Sequence, residues 1–197
     1  EKSSLVYANN QAKALLDADL TIDKGNANAN ASTIALLATN KSSVTVDSGK
    51  TLTTNTQVAL AAINGTTTAG SGSTAENKGT IVSDRRNDGI GIYAKDTGSK
   101  ATNDGTITMM GNKAVGMYGE NVTTLENKTG KSIEVKEKES VGMYGEVDGA
   151  GTNKFTVKNA GKINIGEKKS AGIYVKNAST GSNLEENLKI ENNGEID

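Results

Sequence analysis

The sequence predicts an all-β protein: one chain wound into a parallel β-helix of about seven coils, with three short strands per coil. Three observations predict it. The string Val115–Glu120 returns letter for letter at Val141–Glu146, 26 positions later. A second signature, Asn-x-Gly-x-Ile, precedes such strings at matching intervals. Between the turn signals, apolar residues alternate over runs of three to five positions, the period of a strand.

The tyrosines anchor the repeat. Tyr93, Tyr118, Tyr144 and Tyr174 each follow Gly-Ile or Gly-Met. Upstream stand "NKGTI" from Asn77, "NDGTI" from Asn103 and "NAGKI" from Asn159. "NKTGKSI" from Asn127 carries one insertion, and "NNGEI" from Asn192 is a fifth copy. A third element, "FTVKN" at 155–159 or "LKIEN" at 188–192, precedes the Asn. Residues 76–197 hold the clear copies. Residues 1–75 repeat the plan loosely, with "TIALLA" (33–38) and "QVALAA" (57–62) in place of the tyrosine strand. The whole, 1–197, is one β-helix segment, and its repeat of roughly 24–33 residues falls in the solenoid range. The chain stops inside a repeat, which predicts a piece cut from a longer protein.

A single unit cannot bury its apolar side chains, and its strand edges stay unpaired. Coils stacked about 4.8 Å apart solve both problems. Ile81, Ile107, Ile163 and Ile196 then line one wall, and Ile92, Met117, Met143 and Ile173 another. Period-2 alternation also puts Ile90, Val115, Val141 and Ala171 inward, with Gly116 and Tyr118 outward or Tyr118 in a corner. The Asn row (Asn77, Asn103, Asn127, Asn159, Asn192) is a structural ladder, each amide bridging to the next. The Asn side chain also suits a left-handed corner. The Gly after it supplies a positive φ or a close backbone approach. Proline is absent, as internal strands require. Two stretches, 10–19 and 183–188, read as short loop helices. From Ile to Tyr the spacing is 11 or 12 residues in every clear copy, whereas the spacing after the Tyr varies. Insertions therefore collect at one corner.

Composition removes several functions. There is no Cys and no His, so disulfides, thiolate or imidazole metal sites and His-based catalysis are excluded. Net charge is −1 and no basic stripe exists, so nucleic acid is not an expected partner. No cofactor and no metal are expected, since the calcium-binding β-roll motif is absent too. The sequence shows no signal peptide and no transmembrane run.

Repeated Asn-x-Gly-x-Ile followed by Gly-Met-Tyr or Gly-Ile-Tyr, in a Cys-free, Asn/Gly-rich chain, resembles the passenger domains of bacterial autotransporters. The likeness is nearest to the very large fusobacterial outer-membrane adhesins, and it is clear over 76–197. The resemblance implies type V secretion, display on the bacterial cell surface, and a membrane link only through a translocator barrel outside this segment. It also implies a right-handed coil, the hand that parallel crossovers favour. Lack of Cys suits export of an unfolded passenger through such a barrel.

The expected function is a rigid adhesive rod that attaches to a protein or glycan on host cells or other microbes. It is expected to be a monomer and not an enzyme. The candidate ligand-binding residues are Tyr93, Tyr118, Tyr144 and Tyr174, which could stack on sugars or a peptide. Arg85 and Arg86, between Asp84 and Asp88, could grip a carboxylate. Each has a plainer reading: rings packed on one another, and a solvated turn with local ion pairs. The charged run 136–139 reads as a turn. The loops 145–154 and 175–187 are the expected contact region. Alternatives are a polysaccharide-acting β-helix enzyme, an inert spacer, and a trimeric head, which the long repeat disfavours.

Overall fold

The computed structural model describes residues 3–23, 33–64, 72–147, 155–177 and 188–197. The described chain forms 21 strands in sets of three. In chain order these are β1 (Ser3–Ala8), β2 (Lys13–Leu16), β3 (Leu20–Ile22); β4 (Thr33–Thr39), β5 (Ser43–Val46), β6 (Thr51–Thr54); β7 (Val58–Ile63), β8 (Thr74–Asn77), β9 (Thr80–Ser83). There follow β10 (Ile90–Lys95), β11 (Lys100–Asn103), β12 (Thr106–Met109); β13 (Val115–Glu120), β14 (Thr124–Asn127), β15 (Ser132–Val135). The last two sets are β16 (Val141–Val147), β17 (Phe155–Asn159), β18 (Lys162–Ile165) and β19 (Ala171–Asn177), β20 (Leu188–Asn192), β21 (Glu195–Ile196).

Every third strand pairs, always parallel, giving three sheets of seven strands. Sheet 1 runs β1-β4-β7-β10-β13-β16-β19, sheet 2 runs β2 to β20, and sheet 3 runs β3 to β21. The fold is a parallel β-solenoid. Register is exact along the repeat: Tyr93 pairs with Tyr118, Tyr118 with Tyr144 and Tyr144 with Tyr174.

About seven coils were expected, and here the structure differs. The closed interior spans five turns. From β4 to β18 each turn contributes fully buried apolar side chains, such as Leu36, Leu60, Ile92, Met117 and Met143. In the first set of strands only Ala8 reaches that burial, and in the last set no apolar side chain does. A side chain on an end rung has a neighbour on one side only, so it keeps contact with water.

The expected isoleucine wall holds: Ile81, Ile107 and Ile163 are fully buried, while Ile196 on the end rung is exposed. Ile133 joins that row, between Ile107 and Ile163. The insertion in "NKTGKSI" is taken up by the turn around Gly130 (φ 74), so register is kept.

The helix expected over 10–19 is not formed. Lys13–Leu16 is a strand paired with β5. Helix propensity is weak beside a ready-made parallel edge that accepts the same residues. The stretch 183–188 lies outside the described residues except Leu188, which begins β20. Among the described residues there is no helix.

One face assignment is also corrected. Ile92, Met117 and Met143 point inward as expected, but so do their preceding glycines. A Cβ on Gly91 would sit 2.9 Å from Ile107 Cγ2, across the interior. Two consecutive inward residues break the alternation. Ile90, Val115, Val141 and Ala171 are therefore turned outward, where Ile90 packs in a second cluster with Ile34, Val58, Ala61 and Tyr93. A Cβ on Gly91 would meet the opposing isoleucine methyl and also the carbonyl of Gly116 in the next turn, at 2.5 Å.

The asparagine corner behaves as a ladder. Asn77 Nδ2 donates to Asn103 Oδ1 at 2.9 Å, and the Asn103–Asn127, Asn127–Asn159 and Asn159–Asn192 links are each 2.8 Å. The first four are fully buried, and Asn192 on the end rung is exposed. None of the five has a positive φ; the left-handed corners hold other residues, such as Asn40 and Asn121. Of the glycines after the Asn, only Gly130 in the copy with the insertion has a positive φ. Gly79, Gly105, Gly161 and Gly194 are needed for close approach, since a Cβ on each would overlap a backbone carbonyl of the turn below.

Candidate functional site

Sheet 1 carries the candidate surface on its outer face. Two outward rows run along the rod. One is aliphatic: Ile34, Val58, Ile90, Val115, Val141. The other, three residues later in each strand, is Leu37, Ala61, Tyr93, Tyr118, Tyr144, Tyr174. Tyr7 begins this second row, opposite Leu37.

The four repeat tyrosines stack. Ring centroids are 5.2 Å apart for Tyr93–Tyr118, 4.8 Å for Tyr118–Tyr144 and 5.2 Å for Tyr144–Tyr174. The planes turn against each other by 49°, 86° and 29°. The row thus presents edges as well as faces, and only Tyr144 and Tyr174 are near parallel. Such tilted pairs are favourable ring geometries in their own right.

Three of the four hydroxyls are anchored. Tyr93 donates to Glu120 Oε2 at 2.8 Å, Tyr118 to Glu146 Oε2 at 2.8 Å, and Tyr144 to the same oxygen at 3.5 Å. Lys95 pairs with Glu120 at 2.7 Å and Lys176 with Glu146 at 2.9 Å. Burial, then the hydrogen bond to Glu120, pushes the Tyr93 phenol well above its ordinary range. Burial, then the hydrogen bond to Glu146, does the same for Tyr118. Burial also raises Tyr144. The Lys176 ammonium, followed by Tyr118, holds the Glu146 carboxyl below its ordinary value.

Between the two rows lies a shallow groove of about 220 Å³, lined by Gln57, Asp88, Ile90, Lys113, Val115, Tyr118 and Tyr144. Its charged rim comes from the corner that leads into sheet 1. Asp88 (φ 55), Lys113 (φ 52), Glu139 (φ 60) and Lys169 (φ 62) occupy that corner in successive turns, all left-handed. Charge alternates along it, and Lys113 Nζ lies 3.9 Å from Glu139 Oε2. The turn-forming run 136–139 ends in this corner and is exposed.

Arg85 and Arg86 belong to the turn before β10, not to the tyrosine row. Arg85 Nε donates to Asn87 O at 2.9 Å and Arg85 Nη1 to Asn55 O at 3.4 Å. Its guanidinium holds the turn together. Arg86 is exposed. Among the described residues neither arginine forms an ion pair, so the local pairing expected with Asp84 and Asp88 is not formed. Of the loops 145–154 and 175–187, positions 145–147 and 175–177 are strand, and 148–154 and 178–187 lie outside the described residues.

Sequence reasoning missed the aliphatic row, because alternation assigned it to the interior. The signal was the invariant glycine between Ile90 and Ile92, which leaves one more inward position than a regular strand has. It also missed Glu120 and Glu146. They stand two residues after a tyrosine, on the same face of the strand.

Residues 2–194 match the family model described as the BigA third pectate lyase-like domain. The match points to a bacterial surface protein. No curated protein and no solved structure matches the chain.

Proposed function

Because the chain belongs to the family of the BigA third pectate lyase-like domain, we propose that it is a segment of a surface adhesin, a rod that carries its own contact face. The contact face is the outer side of sheet 1. The observation that supports this is the pair of outward rows, aliphatic and aromatic, side by side over the closed turns. Contiguous apolar surface with a polar rim is what interaction sites present. The partner is a protein or glycan on host cells or on other microbes. Secretion by the type V route, across the outer membrane, and a right-handed coil complete the reading.

Binding, not catalysis, is the activity we propose. A carboxyl serves best as general acid or base at neutral pH when it is tuned upward, toward the operating pH. Glu146 is tuned downward, with its oxygens taken up by Lys176 and two tyrosines. The words "pectate lyase-like" in the family description favour a second reading, an enzyme acting on acidic polysaccharide. Incubation of the purified chain with a panel of polysaccharides tests it, and reproducible cleavage would replace the binding reading.

The test of the contact face uses Val115→Glu with Val141→Glu. Both side chains are half-buried on the outer face, so circular dichroism should keep its β signature. Attachment of the labelled chain to cells should fall about tenfold, the equivalent of about 1.4 kcal/mol. Unchanged attachment would move the contact to the loops 145–154 and 175–187. No attachment by the unaltered chain would leave a spacer.

A further inference from the structure

The tyrosine row holds a chemistry that a contact face does not use. The chain has five Tyr but no Cys and no Trp, so phenols are its most readily oxidised groups toward one-electron oxidants. Two-electron oxidants act on methionine instead, and of the four methionines only Met110 is exposed. Four of the five phenols stand in one file. Their strands pair in register, so each ring lies beside the next.

We propose that Tyr144 and Tyr174 form a site of oxidative cross-linking, where a carbon–carbon bond between the rings staples two successive turns. Such a bond joins the ring carbons next to the two hydroxyls, so the rings must lie side by side. The near-parallel pair meets this condition, with planes 29° apart and centroids 5.2 Å apart. Tyr118 stands edge-on to Tyr144 at 86°, so an edge meets a face there. Tyr93 and Tyr118 are tilted by 49°, and each of their hydroxyls is fastened to a carboxylate at 2.8 Å, which holds the rings in place. Tyr7 has Leu37 beside it, not a ring.

Glu146 supplies the second requirement. A phenol that loses an electron must also lose its proton, and the Tyr144 hydroxyl points to Glu146 Oε2 at 3.5 Å. Lys176 Nζ, 2.9 Å from Oε1, favours the ionised carboxylate that accepts it. Each phenol gives up one electron and one proton, the Tyr144 proton going to Glu146. The two radicals join at ring carbons next to the hydroxyls, and the hydrogens displaced from those carbons restore the hydroxyls. In net, one C–C bond forms, two C–H bonds break, and two electrons and two protons leave. Hydrogen peroxide, acting through a peroxidase, takes both pairs and becomes two waters. The linked residues lie 30 positions apart, on β16 and β19. Closing that loop restricts the unfolded chain as a disulfide would, in a chain without Cys.

A peroxidase with limiting hydrogen peroxide, applied to the whole chain at low concentration, tests the site. The expected product is a monomer lighter by two hydrogens, with dityrosine fluorescence. Cleavage after lysine should yield residues 139–154 joined to residues 170–176 as the main linked pair. Tyr174→Phe should abolish that pair, and Tyr93→Phe should leave it. Glu146→Gln should lower its yield several-fold at neutral pH. The yield should recover as pH rises into the phenol range, where the proton leaves unaided, a recovery that a merely structural role would not give. The bond is read within the chain, so the outcome is independent of attachment to cells. No link, links scattered over all five tyrosines, links between chains only, or an undiminished yield in Glu146→Gln would each overturn the proposal.

Discussion

Gly116 lies so close to Ile133 that a Cβ on the glycine would overlap the Ile133 Cγ2 methyl. The same relation joins Gly142 to Ile163 and Gly172 to Ile196. It bears on why Gly-Met-Tyr recurs: the glycine is set by the isoleucine facing it and by the carbonyl of the next turn, which a Cβ on Gly116 would approach to 2.6 Å at Gly142, not by the tyrosine beside it. The second glycine of the string has another cause. A Cβ on Gly119 would sit 2.9 Å from Phe155 Cζ, and one on Gly145 3.1 Å from Phe155 Cε1. The chain's single Phe fills the space that these two leave.

Gly116→Ala should therefore destabilise the fold by about 1–3 kcal/mol, as overpacking does. Ile133→Leu, which lacks a β-methyl, should recover part of the loss when combined with it. The second turn already carries that combination, with Ala35 in the glycine row and Leu52 in the isoleucine row. The third turn pairs Ala59 with Ile81, so backbone adjustment absorbs some of the crowding and keeps the loss at the low end. Thermal melts of the two single variants and the double variant decide the matter. Additive losses would refute the steric account.

The asparagine ladder makes a graded prediction. Asn103→Val breaks two links and leaves the Asn127 Oδ1 acceptor buried without its donor. A loss of about 1–3 kcal/mol per orphaned group is expected. Asn77→Val should cost less. Asn77 is where the ladder starts: Val46 occupies the position before it, and Asn77 Oδ1 already lacks a partner. Chemical denaturation should rank the variants in that order, and equal losses would count against the ladder as a stabilising element.

Stability should fall at both ends of the pH scale, for different side chains. The phenols of Tyr93 and Tyr118 are raised in the folded state, first by burial and then by their carboxylate partners. Their contribution is complete below the ordinary phenol value of 10.0 and is lost as pH rises beyond it. Glu146 is lowered, so its contribution is present above the ordinary 4.5 and is lost as pH falls. Melting temperature against pH should show a plateau between these limits. Glu146→Gln should flatten the acid limb, and its failure to do so would detach that limb from Lys176.

Much of the coil was legible because it is written in repetition. The isoleucine row, the methionine row and the asparagine row each return at a fixed interval, and parallel stacking is the arrangement that uses such a return. The outward aliphatic row was not legible, because Ile90 and Ile92 look alike to a period-2 rule. Only the opposing Ile107, remote in the repeat, reveals that Gly91 takes the inward place between them. Lys13–Leu16 was misread for a related reason. Its partner strand lies 30 residues away, between Ser43 and Val46, and local propensity carries no record of it.

Because Met117 rests on Met143 and Gly116 on Gly142, neighbouring levels of the rod are held by adhesion of one level to the next, 26 residues apart. Tension on such a molecule has a natural quantum. Peeling off one level would free about 90 Å of slack, at the reach of an extended chain, while the remaining levels keep their grip. A tether of this design lengthens in steps under load, as a spring with stored thread. Optical-trap traces should show a sawtooth whose steps follow the lengths of the individual levels, about 80–115 Å, and a single rupture of the whole domain would contradict it.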